Sequence, residues 1–199
     1  MLREFVPADM LTLGNAACGA GAVFCCLQYL AESREPLYLW TAFVLLPTAL
    51  LMDALDGWVA RKMRRSSMLG LDLDSLADIV SFGVAPAVVG FTLGLRGGWD
   101  SLILVYFISC GISRLARFNV TAESLADGAG KVKYFEGTPI PTSIVIVAVL
   151  AAAYYTGATG DNIWGGYIFF LSMKLHPLVL IYALSGSAMI SQTLRIPKP

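Results

Sequence analysis

Long apolar runs limit this chain more than any other feature of its sequence. A helix needs about 20 mostly apolar residues to cross the hydrocarbon layer of a bilayer. Five runs of that kind stand at about 11–31, 38–60, 72–95, 100–119 and 139–157. The region 163–192 is broken by Lys174, His176 and Pro177, and proline breaks or kinks a helix. It reads as a short interfacial or kinked piece over 163–174 followed by most of a sixth span over 176–192, with seven segments as the alternative. Composition agrees: 57% of residues are hydrophobic and 14% charged, against about 45–50% and about 25% in soluble domains. The expectation is an all-α membrane protein of six transmembrane helices, folded as one domain over 1–199.

The charges orient it. Cytosolic loops of membrane proteins collect Lys and Arg. Six spans put Arg3, Arg61, Lys62, Arg64, Arg65, Arg114, Arg117, Lys131, Lys133, Arg195 and Lys198 on one side, only Arg34 and Arg96 on the other, and leave Lys174 ambiguous. Both termini are therefore expected in the cytosol. The formal net charge is zero, which offers no electrostatic lure for nucleic acid. Cys18, Cys25, Cys26 and Cys110 lie in apolar runs without metal-ligand spacing and read as small buried hydrophobes. The start "MLREFVPADM" lacks the pattern of a signal peptide. His176, before Pro177, reads as structural or interfacial. Trp40, Trp58, Trp99 and Trp164 fall near span ends as interfacial anchors. The polar stretch 121–132 reads as a surface loop.

Against this background the stretch "MDALDGWVARKMRRSSMLGLDLDSLADIVSF" carries four aspartates in or beside apolar runs, where a charge costs at least about 2.5–3.5 kcal/mol at mid-bilayer. Asp53, Asp56, Gly57, Ala60 and Arg61 follow at i, i+3, i+4, i+7 and i+8, and Asp74 and Asp78 at i and i+4. Each set shares one helical face. The short basic link makes the two helices antiparallel neighbours, so the acidic faces can converge. Unpaired, clustered carboxylates repel. All-oxygen ligands suit Mg²⁺ or Mn²⁺, and two divalent ions with Arg61 would clamp a diphosphate. Gly57, Ala60 and Gly70 leave room for a ligand near the backbone. The alternatives are juxtamembrane ion pairs with the nearby arginines, or the permeation site of a divalent cation transporter.

The spacing D-x2-D-G-x2-A-R-x8-G-x3-D-x3-D, complete here from Asp53 to Asp78, resembles the signature of the CDP-alcohol phosphotransferase family. The resemblance implies a six-helix membrane fold, usually a homodimer. It makes Asp53, Asp56 and Asp74 metal ligands and Asp78 both the general base and a further ligand. Asn15, Asp56, Gly57, Ala60, Arg61, Gly70 and Asp74 become contacts to the CDP group. For Asn15, an interhelical hydrogen bond is the competing reading.

The acceptor alcohol is written elsewhere. "SRLARFNV" places Arg114 and Arg117 at i, i+3 with Asn119 beyond, and "KYFEGTPIPTS" carries Lys133 and Glu136. Cations for a carboxylate, with Glu136 or Asn119 for an ammonium, would suit a zwitterion. Snorkelling or lipid-phosphate contact is the alternative for the arginines. Both stretches, and the ending "LRIPKP", resemble membrane-embedded phosphatidylserine synthases, the fungal ones especially. That implies CDP-diacylglycerol and L-serine as substrates, with inositol phosphate or glycerol phosphate as the competing acceptors. It also implies an endoplasmic reticulum membrane in a eukaryote and a plasma membrane in a prokaryote.

Overall fold

The computed structural model describes residues 7–32, 34–63, 68–126, 134–191, 193 and 195–197. Helices α1 (Pro7–Ala31) and α2 (Pro36–Met63) form an antiparallel hairpin packed along its length. The third span is composite. It runs from α3 (Met68–Asp78) through a π-helical segment (Ile79–Val84) into α4 (Ala85–Leu93). Helix α5 (Gly98–Ala126) follows, then α6 (Ile144–Tyr155) and α7 (Leu180–Ile190), each entered through a 3₁₀ turn. Among the described residues, four spans are long and apolar enough to cross a membrane, whereas the apolar helices over 140–155 and 177–190 are shorter than 18 residues. Pro139, Pro141 and Pro177 account for the tight 3₁₀ starts, since proline fixes φ and lacks the N–H that a helix interior needs.

The third span is the axis of the bundle. Its most apolar window is 67% buried, against 28% for each of the other three long spans. The large hydrophobics left exposed on those outer helices, among them Phe24, Val44, Leu51, Leu102 and Val105, are side chains that lipid would cover. Helix α1 meets the axis along one stripe of buried residues: Asp9, Thr12, Asn15, Gly19, Ala22, Cys26 and Tyr29. The stripe is polar at its first end and apolar at its second. Gly19 allows the closest approach: a Cβ there would lie 2.7 Å from the Ser81 Cα.

Two expectations are corrected. The 163–174 piece, expected as a short interfacial or kinked segment of an all-α fold, contains most of a β-hairpin. It holds strand β2 (Ile168–Phe170), antiparallel to β3 (Met173–Leu175). Leu171 and Ser172 between them have φ of 45° and 62°, the two positive values of a primed hairpin turn. The aromatic and β-branched run "YIFF" favours strand over helix. The Trp99 indole N–H donates to the Phe170 carbonyl at 2.8 Å and ties the hairpin to the start of α5. The expected 121–132 loop is helical as far as Ala126, in α5; 127–133 lie outside the described residues. A second two-stranded pair joins β1 (Tyr134–Glu136) to β4 (Arg195–Pro197), with Glu136 opposite Arg195. It brings the "YFE" and "RIP" stretches together.

Candidate active site

The carboxylates sit where the second half of α2 meets α3 and the first half of α1. Asp53 and Asp56, three residues apart, project from one face of α2, and Asp74 comes from α3. One carboxylate oxygen from each lies within 4.8 Å of the others. The Thr12 hydroxyl donates to Asp56 Oδ2 at 2.8 Å. Asp74 Oδ1 is buried and has no hydrogen-bond partner among the described residues. A buried anionic oxygen in that state is costly unless a positive group faces it. Three hard oxygen donors, one of them orphaned, fit a divalent cation.

Asp78 stands one turn beyond Asp74 and outside that triad. It is 6% exposed and accepts a hydrogen bond from Asn15 Nδ2 at 3.2 Å. The Ser81 hydroxyl donates to the Asn15 main-chain carbonyl at 2.9 Å. Asn15 thus makes the interhelical bond that one reading required. Its side-chain Oδ1 is buried without a partner among the described residues, so it still has an acceptor to offer. Directly after Asp78 the helix widens into its π segment, a distortion that often marks functional sites.

A cavity of about 260 Å³ opens beside these groups, lined by Asp74, Ser75, Asp78, Arg114, Leu115, Phe118, Pro139 and Pro141. Arg114 therefore shares a chamber with the carboxylates, while Arg117 does not line it. Asn119 bridges helices: it accepts from the Ser75 hydroxyl at 3.0 Å and donates to Asp72 Oδ1 at 3.3 Å. Pro139 and Pro141 bring the "GTPIPTS" segment to the chamber wall. Ile140 between them is fully buried and packs on Gly83 and Gly111. Gly57 and Ala60 lie half-buried on α2, as does Gly70 on α3. Lys133 and the side chains of Arg61 and Glu136 lie outside the described residues.

Sequence reasoning missed Thr12 and Asp9. Both are buried on α1 at i−3 and i−6 from Asn15. The i, i+3, i+6 spacing of Asp9, Thr12 and Asn15 on one helical face is the sequence signal that marks them.

The profile of the CDP-alcohol phosphatidyltransferase family matches residues 5–184. The chain belongs to this family. Among curated relatives, a CDP-diacylglycerol–serine O-phosphatidyltransferase of Saccharomyces cerevisiae is 41% identical over the whole chain and 73% of its own length. An enzyme of the same name from Bacillus subtilis is 31% identical over 76% of the chain and 77% of its own length. An archaetidylserine synthase of Methanothermobacter thermautotrophicus is 34% identical over 75% of the chain, and the match covers 58% of that relative. Every position of the family spacing from Asp53 to Asp78 falls within the matched region. The transferase family and the carboxylate triad thus meet in one place, at one end of the helix bundle.

Proposed function

We propose that this chain transfers a phosphatidyl group from CDP-diacylglycerol to L-serine, releasing phosphatidylserine and CMP. The observation that carries the reading is the Asp53–Asp56–Asp74 triad opening beside a chamber that also holds Asp78 and Arg114. The names of the yeast and Bacillus relatives support serine as the acceptor.

Asp53, Asp56 and Asp74 would hold divalent ions, Mg²⁺ or Mn²⁺, which when bound neutralise and polarise a diphosphate. Gly57, Ala60 and Gly70 leave room for the CDP group beside the backbone, and Arg61 and Asn15 supply a guanidinium and an amide for it. Asp78 accepts the proton of the serine hydroxyl. With one oxygen held by Asn15, its carboxyl keeps a fixed orientation as the proton arrives. The hydroxyl oxygen forms a new bond to the phosphorus that bears the diacylglycerol. The bond from that phosphorus to the CMP oxygen breaks, and the pair stays on CMP. Arg114 faces the serine carboxylate, for which its planar fork is suited. Asn119 braces α5 on α3 beside it, and Arg117, Lys133 and Glu136 are the further residues this reading assigns to serine.

The same reading puts the carboxylate end of six membrane-crossing helices at the cytosolic surface of one domain, both termini on that side, in a homodimer. The endoplasmic reticulum membrane is the compartment if the source is a eukaryote. Lys174, ambiguous from sequence, lines one cavity with Arg34 and Arg96, so even with it the other end stays poor in cations.

The test is purified protein supplied with CDP-diacylglycerol, Mn²⁺ or Mg²⁺ and a panel of labelled alcohols, with CMP release as the signal. Serine-dependent CMP that vanishes on chelation and returns with the metal is the expected result. CMP released with inositol phosphate or glycerol phosphate, and not with serine, would replace the acceptor. No CMP with any alcohol would sink the transferase reading for this chain.

A further inference from the structure

At the end of the bundle away from the Asp53–Asp56–Asp74 triad lies a second cavity, of about 340 Å³. Fourteen residues of near-continuous helix separate Asp78 from Thr92 at its wall, about 20 Å at the rise of a helix. Its lining comes from the ends of α1 and α4 with the links that follow them, the segment before the β2–β3 hairpin, strand β3 and His176. Three cationic side chains face it: Arg34, Arg96 and Lys174.

Beneath them His176 is 1% exposed and Asp100 is fully buried. Asp100 takes hydrogens from three donors. The Gly97 N–H reaches Oδ2 at 2.7 Å, as a side chain in the first turn of α5 caps its own helix, and the His176 N–H reaches Oδ1 at 2.8 Å. The third is the His176 ring, Nδ1 to Oδ2 at 2.6 Å. A carboxylate so supplied only accepts, so Nδ1 carries a proton and the ring is locked. That leaves Nε2, buried and without a hydrogen-bond partner among the described residues. The nearest carboxylate, Asp161 Oδ1, stands 3.8 Å away, beyond hydrogen-bond reach. It is held by Lys174 Nζ at 3.0 Å. This contact raises the pKa of the Lys174 ammonium and keeps it charged. Arg96 is fixed by donating to the Phe91 and Thr92 carbonyls at 2.9 and 3.1 Å.

A helix cap alone would need Asp100 and not a buried histidine with an idle nitrogen. The walls are also cut back: a Cβ on Gly94 would meet the Gly160 backbone, and one on Gly97 the Lys174 carbonyl. The cavity is thus closely built and ringed by cations, with one oriented ring nitrogen unused.

We propose that this cavity is a second ligand site that binds a phosphate group, either the headgroup phosphate of a lipid in the far leaflet or a free phosphate ion. Arg34 supplies a guanidinium fork, Arg96 the guanidinium N–H groups left over from its two carbonyl contacts, and Lys174 a point charge. His176 supplies the contact at depth. A hydrogen phosphate, free or as the monoester headgroup of a lipid, donates its own proton to the unpartnered Nε2. Asp161 is the one carboxylate among the described lining residues, and its pairing with Lys174 keeps it from repelling the ligand.

The experiment uses the whole protein in detergent, with thermal unfolding followed as inorganic phosphate is titrated in one arm and short-chain phosphatidic acid in the other. Each arm expects a saturable rise in melting temperature. His176→Asn preserves a donor where Nδ1 was and removes Nε2. Arg34→Gln changes an exposed side chain and leaves the buried pair intact. Each should weaken the apparent affinity about tenfold or more, the effect of losing a hydrogen bond to a charged group. Arg114→Ala, in the chamber at the other end, should leave it unchanged. A response to phosphatidic acid alone identifies a lipid headgroup, and a response to both identifies a site open to the free ion. No saturable shift in either arm overturns the proposal. So does an undiminished shift in Arg34→Gln and His176→Asn, or a shift that disappears with Arg114→Ala; these results would stand whatever the transferase assay returns.

Discussion

Gly19→Ala tests the coupling between helix packing and chemistry most directly. A Cβ at this position would lie 2.7 Å from the Ser81 Cα, a main-chain atom that cannot swing aside. Ordinary contact begins at 3.4 Å, so α1 must withdraw by about 0.7 Å to overpack no further. The same shift stretches the bond from Asn15 to Asp78, already 3.2 Å, to about 3.9 Å, where no hydrogen bond remains. On stability the effects partly cancel. Alanine gains about 1 kcal/mol of helix propensity over glycine, and overpacking costs about 1–3 kcal/mol, leaving a net loss of roughly 0–2 kcal/mol. Catalysis has no such offset. A misplacement of about 1 Å can cost on the order of a hundredfold in rate. The expected variant is therefore folded and slow. Gly14→Ala on the same helix is the control, because its Cβ would meet only Met52 Sδ at 3.7 Å and Cγ at 3.9 Å. The measurements are initial rates of CMP release at saturating substrates and thermal unfolding in detergent. Wild-type turnover in Gly19→Ala, or an equal loss in Gly14→Ala, would refute the reasoning.

Three further outcomes are expected. Asp78→Asn should abolish CMP release while equilibrium binding of CDP-diacylglycerol survives; persistent turnover would remove Asp78 as the base. Arg114→Ala should raise the KM for serine more than that for the lipid, and more than Arg117→Ala does, because only Arg114 lines the chamber; equal effects in steady-state kinetics would make both structural. Gly90→Ala should destabilise by about 1–3 kcal/mol, since its Cβ would come 2.5 Å from the Tyr182 hydroxyl oxygen. That hydroxyl donates to the Pro86 carbonyl at 2.6 Å, so removing it in Tyr182→Phe should soften the Gly90→Ala penalty by about 1 kcal/mol in a double-mutant cycle of unfolding midpoints; strict additivity would contradict the contact.

Much of the site was legible in sequence because its information is local. Positions three and four apart share a helical face whatever surrounds them, so Asp53 with Asp56 and Asp74 with Asp78 had to project together. A short link then made their helices neighbours. The four long spans were legible for a similar reason: length and apolarity suffice to name them. What periodicity could not say was which faces meet. Spans that are apolar all round have no polar side to turn outward. Only the packed bundle put the Thr12 and Asn15 stripe of α1 against Asp56 and Asp78, through the contact at Gly19. It also set Asp53, Asp56 and Asp74 closest together, with Asp78 beside Asp74 on the chamber wall, and turned Arg114 but not Arg117 into the chamber. The 163–174 hairpin escaped because a short apolar run is compatible with strand and helix alike, and a turn with two positive φ values decided it. Asp100 and His176 lie 76 residues apart. Their pairing has no local signature and exists only because the end of α4, the start of α5 and the segment before α7 close around one cavity.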